Sequence, residues 1–138
     1  MPRKDFYHDV VKRALIKDGW KITHDPIFLR FLDSRLQVDM GAERFELTKG
    51  TTKIAVEVKN FREAGAYANE FHKTIGQVLT YTELLSGEDP DRIVYLAVSD
   101  EAYANVFSKS ELQGFVRRLG IKLVVFNPIS ETITKWDA

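Results

Sequence analysis

The sequence predicts an α/β (α+β) fold in which helices flank a mixed central β-sheet. Three patterns carry that expectation. "DFYHDVVKRALIKDGW" places Tyr7, Val10, Val11, Ala14 and Leu15 at helical spacing, and a second helical segment covers roughly Asn69 to Leu85 with Phe71, Ile75, Val78 and Leu85 on one side. "RIVYLAV" and "KLVVF" are short, nearly all-apolar runs, as in interior strands covered on both faces. Between the helices, "KIAVEVKNF" (Lys53 to Phe61) alternates Ile54, Val56 and Val58 with Ala55, Glu57 and Lys59.

The elements follow in order. Asp5 is a candidate N-cap of the first helix, and Gly19 its stop. "KIT" starts extended, and "HDP" marks a turn, since Pro26 biases Asp25 away from helix. "IFLRF" and "LQVDM" read as strand segments around the bend "LDSR", and "GAERFELTKGTTK" as a short strand and a glycine-containing turn before "KIAVEVKNF". A loop with Gly65 leads to the second helix, which "GEDPD" breaks. "SDEAYANVFSKSELQGFVRRLG" reads as a helix or broken helix ending at Gly120. Pro128 stops the strand in "IKLVVFNP", and "TITKW" reads as an edge strand. The expected order is helix, three strands, helix, strand, then helix and strands.

The 138 residues suit one domain, 1–138, with a real core. No run of about 18 apolar residues suggests a membrane span. The charged start "MPRKDFYHDV" lacks the apolar stretch of a signal peptide, so a cytoplasmic location is expected. The absence of cysteine excludes disulfides and thiolate metal sites. Twenty basic and 20 acidic residues cancel, although residues 1–35 hold eight Lys/Arg against five Asp. Strong sequence-independent DNA affinity needs a clearer basic excess.

Glu57 and Lys59 share one face of their strand, and Asp39 stands 18 residues before Glu57 at the end of "LQVD". A hairpin that pairs these segments brings Asp39, Glu57 and Lys59 to one end of the sheet. Two carboxylates there suit Mg²⁺ or Mn²⁺, hard cations with oxygen ligands, and a Val58 carbonyl is a candidate further ligand. Such a site suits phosphodiester hydrolysis, with Lys59 steadying developing phosphate charge. Gln77 and Tyr81, four residues apart, share a face of the following helix near Glu70 and Lys73. The plain alternative is that E-x-K is a solvated ion pair on a scaffold.

His8 on the first helix is a candidate for the same end of the sheet, against a structural role. His24 reads as a turn residue and His72 as a packing or surface one; the three histidines are too scattered for zinc. Arg117, Arg118 and Lys122 read as a solvated helix end rather than a phosphate patch. Trp20, Phe28, Phe31 and Trp136 read as core or interface.

An Asp, an E-x-K strand and a helix with Q-x-x-x-Y in αβββαβ order resemble the PD-(D/E)XK nuclease superfamily, onto whose motif Asp39, Glu57, Lys59 and Gln77 fall one for one. Val38 replaces the motif's proline. More specifically, "YHDVVKRALIKDGWKITHDP", "VDMGAE", "KIAVEVKNF", "EFHKTIGQVLTY", "DRIVYLAV" and "KLVVFNP" together resemble the XisH family, the fdxN element excision controlling factors of cyanobacteria. The resemblance implies a restriction-endonuclease-like fold and a role in excision of a DNA element, beside a site-specific recombinase and a companion, XisI. It does not by itself imply nuclease activity. Three functions follow: a Mg²⁺-dependent DNA endonuclease, a catalytically silent DNA-binding or regulatory module, or a subunit whose site the companion blocks. A homodimer is compatible with each.

Overall fold

The computed structural model describes residues 5–62 and 65–137. Helix α1 (His8–Lys17) opens the fold, and strands β1 (Lys21–His24), β2 (Ile27–Phe31), β3 (Ser34–Val38), β4 (Met40–Glu46) and β5 (Gly50–Val58) follow. Helix α2 (Tyr67–Glu88) crosses over to β6 (Arg92–Ser99). A short α3 (Asp100–Ala102) runs into a π-helical turn at Tyr103–Phe107, then come α4 (Ser110–Leu119), β7 (Leu123–Asn127) and β8 (Thr132–Asp137). The main sheet has six strands in the order β1-β4-β5-β6-β7-β8, with β5, β6 and β7 parallel and the other pairs antiparallel. It is a mixed sheet flanked by helices, as the sequence predicts.

Five strands, not three, separate α1 from α2. Two of them leave the sheet: β2 and β3 pair only with each other as a separate ribbon. The remaining three, β1, β4 and β5, give the expected helix, three strands, helix, strand order in the main sheet. Within "LQVDM" the strand does not run through. Asp39 is a bend between β3 and β4, so Val38 faces the ribbon's core while Met40 already belongs to the main sheet.

Strand β5 also sits three residues earlier than its pattern suggests. Its last rung is closed by the Lys59 amide donating to the Ala97 carbonyl at 3.1 Å. Phe61 then takes φ +43°, which turns the chain out of extended geometry and packs its ring edge-on against Phe107 at 5.0 Å. The broken-helix reading of residues 99–120 holds. The chain is helical in three pieces, and Gly120, at φ +67°, caps α4 in the left-handed conformation.

The sheet separates two apolar layers. On one face Val11, Leu15 and Trp20 pack against Met40, Ala42, Ile54, Val56 and Val58. On the other, Val78, Tyr81 and Leu85 of α2 pack with Ala55, Leu96, Val98, Leu123 and Val125. Each fully buried aliphatic side chain stabilises by about 1.5–3 kcal/mol, so both helices are held by their apolar faces rather than by propensity. Strand β5 is therefore central and covered on both sides. The polar face inferred for Ala55, Glu57 and Lys59 is not a solvated face: Ala55 is fully buried and Glu57 is 4% exposed. Of the aromatics assigned to core or interface, Trp20 is buried and stacks beside the partly buried Trp136 at 5.5 Å. Phe28 and Phe31 lie outside the core, on the ribbon's exposed side and tip.

Candidate functional site

The antiparallel register of β4 and β5 pairs Met40 with Val56, so the next rung sets Asp39 opposite Glu57. Each carboxylate then anchors to the neighbouring backbone. Asp39 Oδ2 accepts from the Val58 amide at 2.7 Å, and Glu57 Oε1 accepts from the Asp39 amide at 3.2 Å. One oxygen of each group is thus committed to the fold. The second oxygens face cations. Glu57 Oε2 is 3.7 Å from Lys59 Nζ, and Asp39 Oδ1 is 3.8 Å from His8 Nδ1.

His8 is buried, and α1 aims it at this end of the sheet. Its Nε2 lies 2.8 Å from Asp25 Oδ1, and Asp25 Oδ2 accepts from Lys12 Nζ at 2.8 Å. Asp39 and then Asp25 raise the His8 pKa above the usual imidazole value, against burial. Burial pushes Asp25 up as well, but Lys12 and His8 outweigh it together and leave Asp25 below the usual carboxylate range. Asp25 and Lys12 are the members of this chain of contacts that sequence reasoning passed over. The signal was present only as "HDP", where Asp25 read as a turn residue. Asp5, expected as an N-cap, accepts from the Tyr7 amide at 3.0 Å just ahead of the helix. Burial chiefly raises its pKa, and the charges of Asp39 and Glu70 add to the rise.

Glu57 is raised as Asp5 is, and further. Burial first, then the Asp39 charge, push its pKa up to about 8, and Lys59 opposes them without prevailing. A buried Glu57 beside the partly buried Asp39 loses more to desolvation and like charge than Lys59 at 3.7 Å restores. Burial and Asp39 thus favour the protonated form of Glu57.

Helix α2 closes the site. Thr74 and Tyr81 are buried and Gln77 half-buried along one side of it. The Tyr81 hydroxyl donates to the Gln37 carbonyl at 3.1 Å, tying α2 to the ribbon. Burial, then Glu57 and Asp39, push its pKa far above the usual phenol value, so it stays a neutral donor. Gln77 Oε1, Thr74 Oγ1 and His8 Nδ1 are buried without a hydrogen-bond partner among the described residues. The orphaned atoms at Gln77 and His8 belong to side chains expected at the site, and a bound ligand with its waters is one way to satisfy them.

Among the described residues no group of three or more His, Asp or Glu side chains is arranged to hold a metal ion. The donor set that exists, two carboxylates each with one oxygen free of backbone bonds, suits Mg²⁺, which keeps most of its waters. Of the other flagged residues, Lys73 and His72 are exposed, and His24 Nδ1 meets the Thr23 hydroxyl at 2.9 Å. Arg117 and Arg118 lie in the exposed last turn of α4, the solvated helix end that the sequence suggests. No helix among the described residues is long and apolar enough to cross a membrane.

Comparison with known proteins adds three findings. The model of the XisH protein family matches residues 1–134. The crystal structure of an XisH family protein from Nostoc punctiforme superposes with a TM-score of 0.86 at 36% identity, covering 97% of this chain and 100% of that one. The structure of an fdxN element excision controlling factor protein from Anabaena variabilis gives the same TM-score and identity, covering 96% of this chain and 98% of the other. No curated protein matches the chain.

Proposed function

The chain belongs to the XisH family, and from that premise we propose that it acts in excision or rearrangement of a DNA element through a PD-(D/E)XK-like site for phosphodiester hydrolysis. The observation that carries the reading is the crowding of Asp39 and Glu57: two carboxylates held in register at one end of the sheet, with Glu57 raised to about 8. A central, buried strand position given to a carboxylate that its one ammonium partner does not hold ionised suits a cation from outside. A bound Mg²⁺ or Mn²⁺ would supply Lewis acidity and an acidified water at that position.

The protein's own groups have the following roles. Asp39 Oδ1 and Glu57 Oε2 are the free oxygens that would hold the ion. Lys59, 3.7 Å from Glu57, would place its ammonium against the substrate phosphate. Gln77, with its buried unpaired oxygen, would accept from a water and orient it. His8 positions Asp39, and Asp25 with Lys12 positions His8. Tyr81 supports the frame through Gln37.

A second reading has its own support. In the metal-free protein, the backbone bonds and the Lys59 and His8 contacts already satisfy much of the site. The net charge of zero also suits a chain that relies on others for DNA affinity. On that reading the chain is a silent DNA-binding or regulatory module, working with a recombinase and an XisI-like companion. Cleavage of supercoiled plasmid with Mg²⁺ or Mn²⁺, with and without the companion, separates the two. The hydrolytic reading expects metal-dependent nicking or linearisation that Glu57→Gln abolishes while the circular dichroism spectrum is unchanged. Equal cleavage by wild type and Glu57→Gln would assign the activity to a contaminant, and no cleavage under any arm would leave the regulatory reading standing.

A further inference from the structure

We propose that the outer side of helix α4 is a self-association surface, on which a second copy of this chain lays its own α4 antiparallel. It goes beyond the hydrolytic reading and does not depend on it. Val116 is buried and, with Leu112, ties α4 to the core. The side turned to solvent carries Glu111, Gly114, Phe115 and Arg118, spaced i, i+3, i+4 and i+7. Phe115 is 48% exposed, and Leu119, one turn further on, is 39% exposed.

Three features of this side have no use within the chain. Gly114 interrupts a helix interior, where only proline is less favourable. Its φ is not positive, and a Cβ there would meet only the Arg118 guanidinium, at 3.2 Å, the far end of a flexible side chain. The fold itself therefore does not require glycine at this position, whereas the close approach of another surface would. The Phe115 ring rests edge-on against Phe71 at 5.7 Å and keeps about half its surface in water. Glu111 and Arg118 stand two turns apart, about 10 Å along the axis, too far to pair with each other. Among the described residues neither has an ion-pair partner.

The same side is complementary to itself. A twofold axis between Gly114 and Phe115 runs two α4 helices antiparallel and sets Glu111 of each copy opposite Arg118 of the other. It also sets each Phe115 opposite the other copy's Gly114, where the missing Cβ leaves room for the ring. Both ion pairs, both ring contacts and the opposed helix dipoles then come from a single surface. A different protein would have to carry this pattern in reverse, whereas a second copy already does. Specific interfaces begin near about 1,000 Å² of total buried surface, and one pair of 10-residue helices lies at that low end. The dimer should therefore be reversible in the micromolar range and weaken as salt screens its ion pairs.

Sedimentation velocity of the full chain from about 1 µM to about 200 µM tests this, with a concentration-dependent dimer expected for the wild type. Glu111→Arg and Arg118→Glu each set like charges opposite one another across the axis. Either variant alone should stay monomeric, with an unchanged circular dichroism spectrum because both positions are exposed. An equimolar mixture of the two variants should dimerise again, since every facing pair is then opposite in sign. Gly114→Ala should weaken the dimer about tenfold by filling the gap, yet raise the melting temperature of the dilute monomer, because alanine suits a helix better. A wild type that stays monomeric throughout overturns the inference and assigns the face to a different protein. A dimer that survives both single charge reversals, or a mixture of the two that stays monomeric, overturns it as well. An unchanged dimer in Gly114→Ala overturns the seating of Phe115 on Gly114.

Discussion

The two ends of strand β5 solve the same problem in opposite ways. Near its start, Lys53 and Arg92 converge on Asp89, with Arg92 Nε donating to Asp89 Oδ2 at 2.9 Å and Arg92 Nη1 to the Ile54 carbonyl at 2.8 Å. There two cations meet two carboxylates, with Glu43 Oε1 4.0 Å from Arg92 Nη2, and Lys53 and then Arg92 overcome burial to hold the Asp89 pKa below the usual carboxylate range. Near its end, two carboxylates meet one ammonium, and Glu57 rises to about 8. The first end is electrically closed and reads as scaffold. The second holds a carboxylate that its neighbours do not keep ionised. What marks the candidate site is this imbalance within one strand, more than the presence of an E-x-K motif.

The largest expected effect is on pH-dependent stability. Glu57 is raised in the folded state, so between its unfolded value near 4.5 and about 8 the native state holds a proton that the unfolded state has lost. Metal-free stability must therefore fall as pH rises through that window, with a slope approaching about 1.4 kcal/mol per unit and a total of about 5 kcal/mol. Urea denaturation of wild type and Glu57→Gln at pH 5 and pH 8 measures the difference, which should vanish in the variant. Parallel pH profiles would mean that the two ends of β5 are alike.

Arg92→Leu comes next. It strips Asp89 and the Ile54 carbonyl of a buried donor and should cost about 3 kcal/mol in unfolding free energy. The metal response should stay intact, since the damage is at the closed end. A cost below about 1 kcal/mol would remove the contrast from the scaffold side.

Metal titration sharpens the same contrast. Mg²⁺ or Mn²⁺ at about a hundredfold over its dissociation constant should stabilise the wild type by about 2.7 kcal/mol by mass action. Differential scanning fluorimetry should show the gain lost in Asp39→Asn/Glu57→Gln and retained in Lys59→Ala. In Lys59→Ala any cleavage should disappear, because the ammonium competes with metal for Glu57 but serves the phosphate.

The smallest effect belongs to Lys53→Ala. Its partner is partly solvated and Arg92 remains, so a loss of about 0.5 kcal/mol is expected. A loss several times larger would show that the closed end also depends on an exact charge count.

By itself the sequence determined the layered α/β class, the first two helices, the central strands, and the meeting of Asp39, Glu57 and Lys59 at one end of the sheet. It could do so because helical spacing, apolar runs and strand parity are local, and because Asp39, Glu57 and Lys59 are close enough along the chain for one hairpin to join them. It also determined the family, through several motifs in fixed order. Tertiary structure decided the rest. Only packing shows that β2 and β3 leave the sheet, since their alternation looks like that of any paired strand until α2 takes up Ile27 and Leu29. Only packing brings Asp25, 17 residues away, onto His8, and turns Phe28 and Arg35 outward together. Above all, the charge state of Glu57 was not legible. The letters E-V-K describe an ion pair whether it is wet or dry, and it is the cover of α2 and the second carboxylate from β4's edge that remove water and leave Lys59 outnumbered.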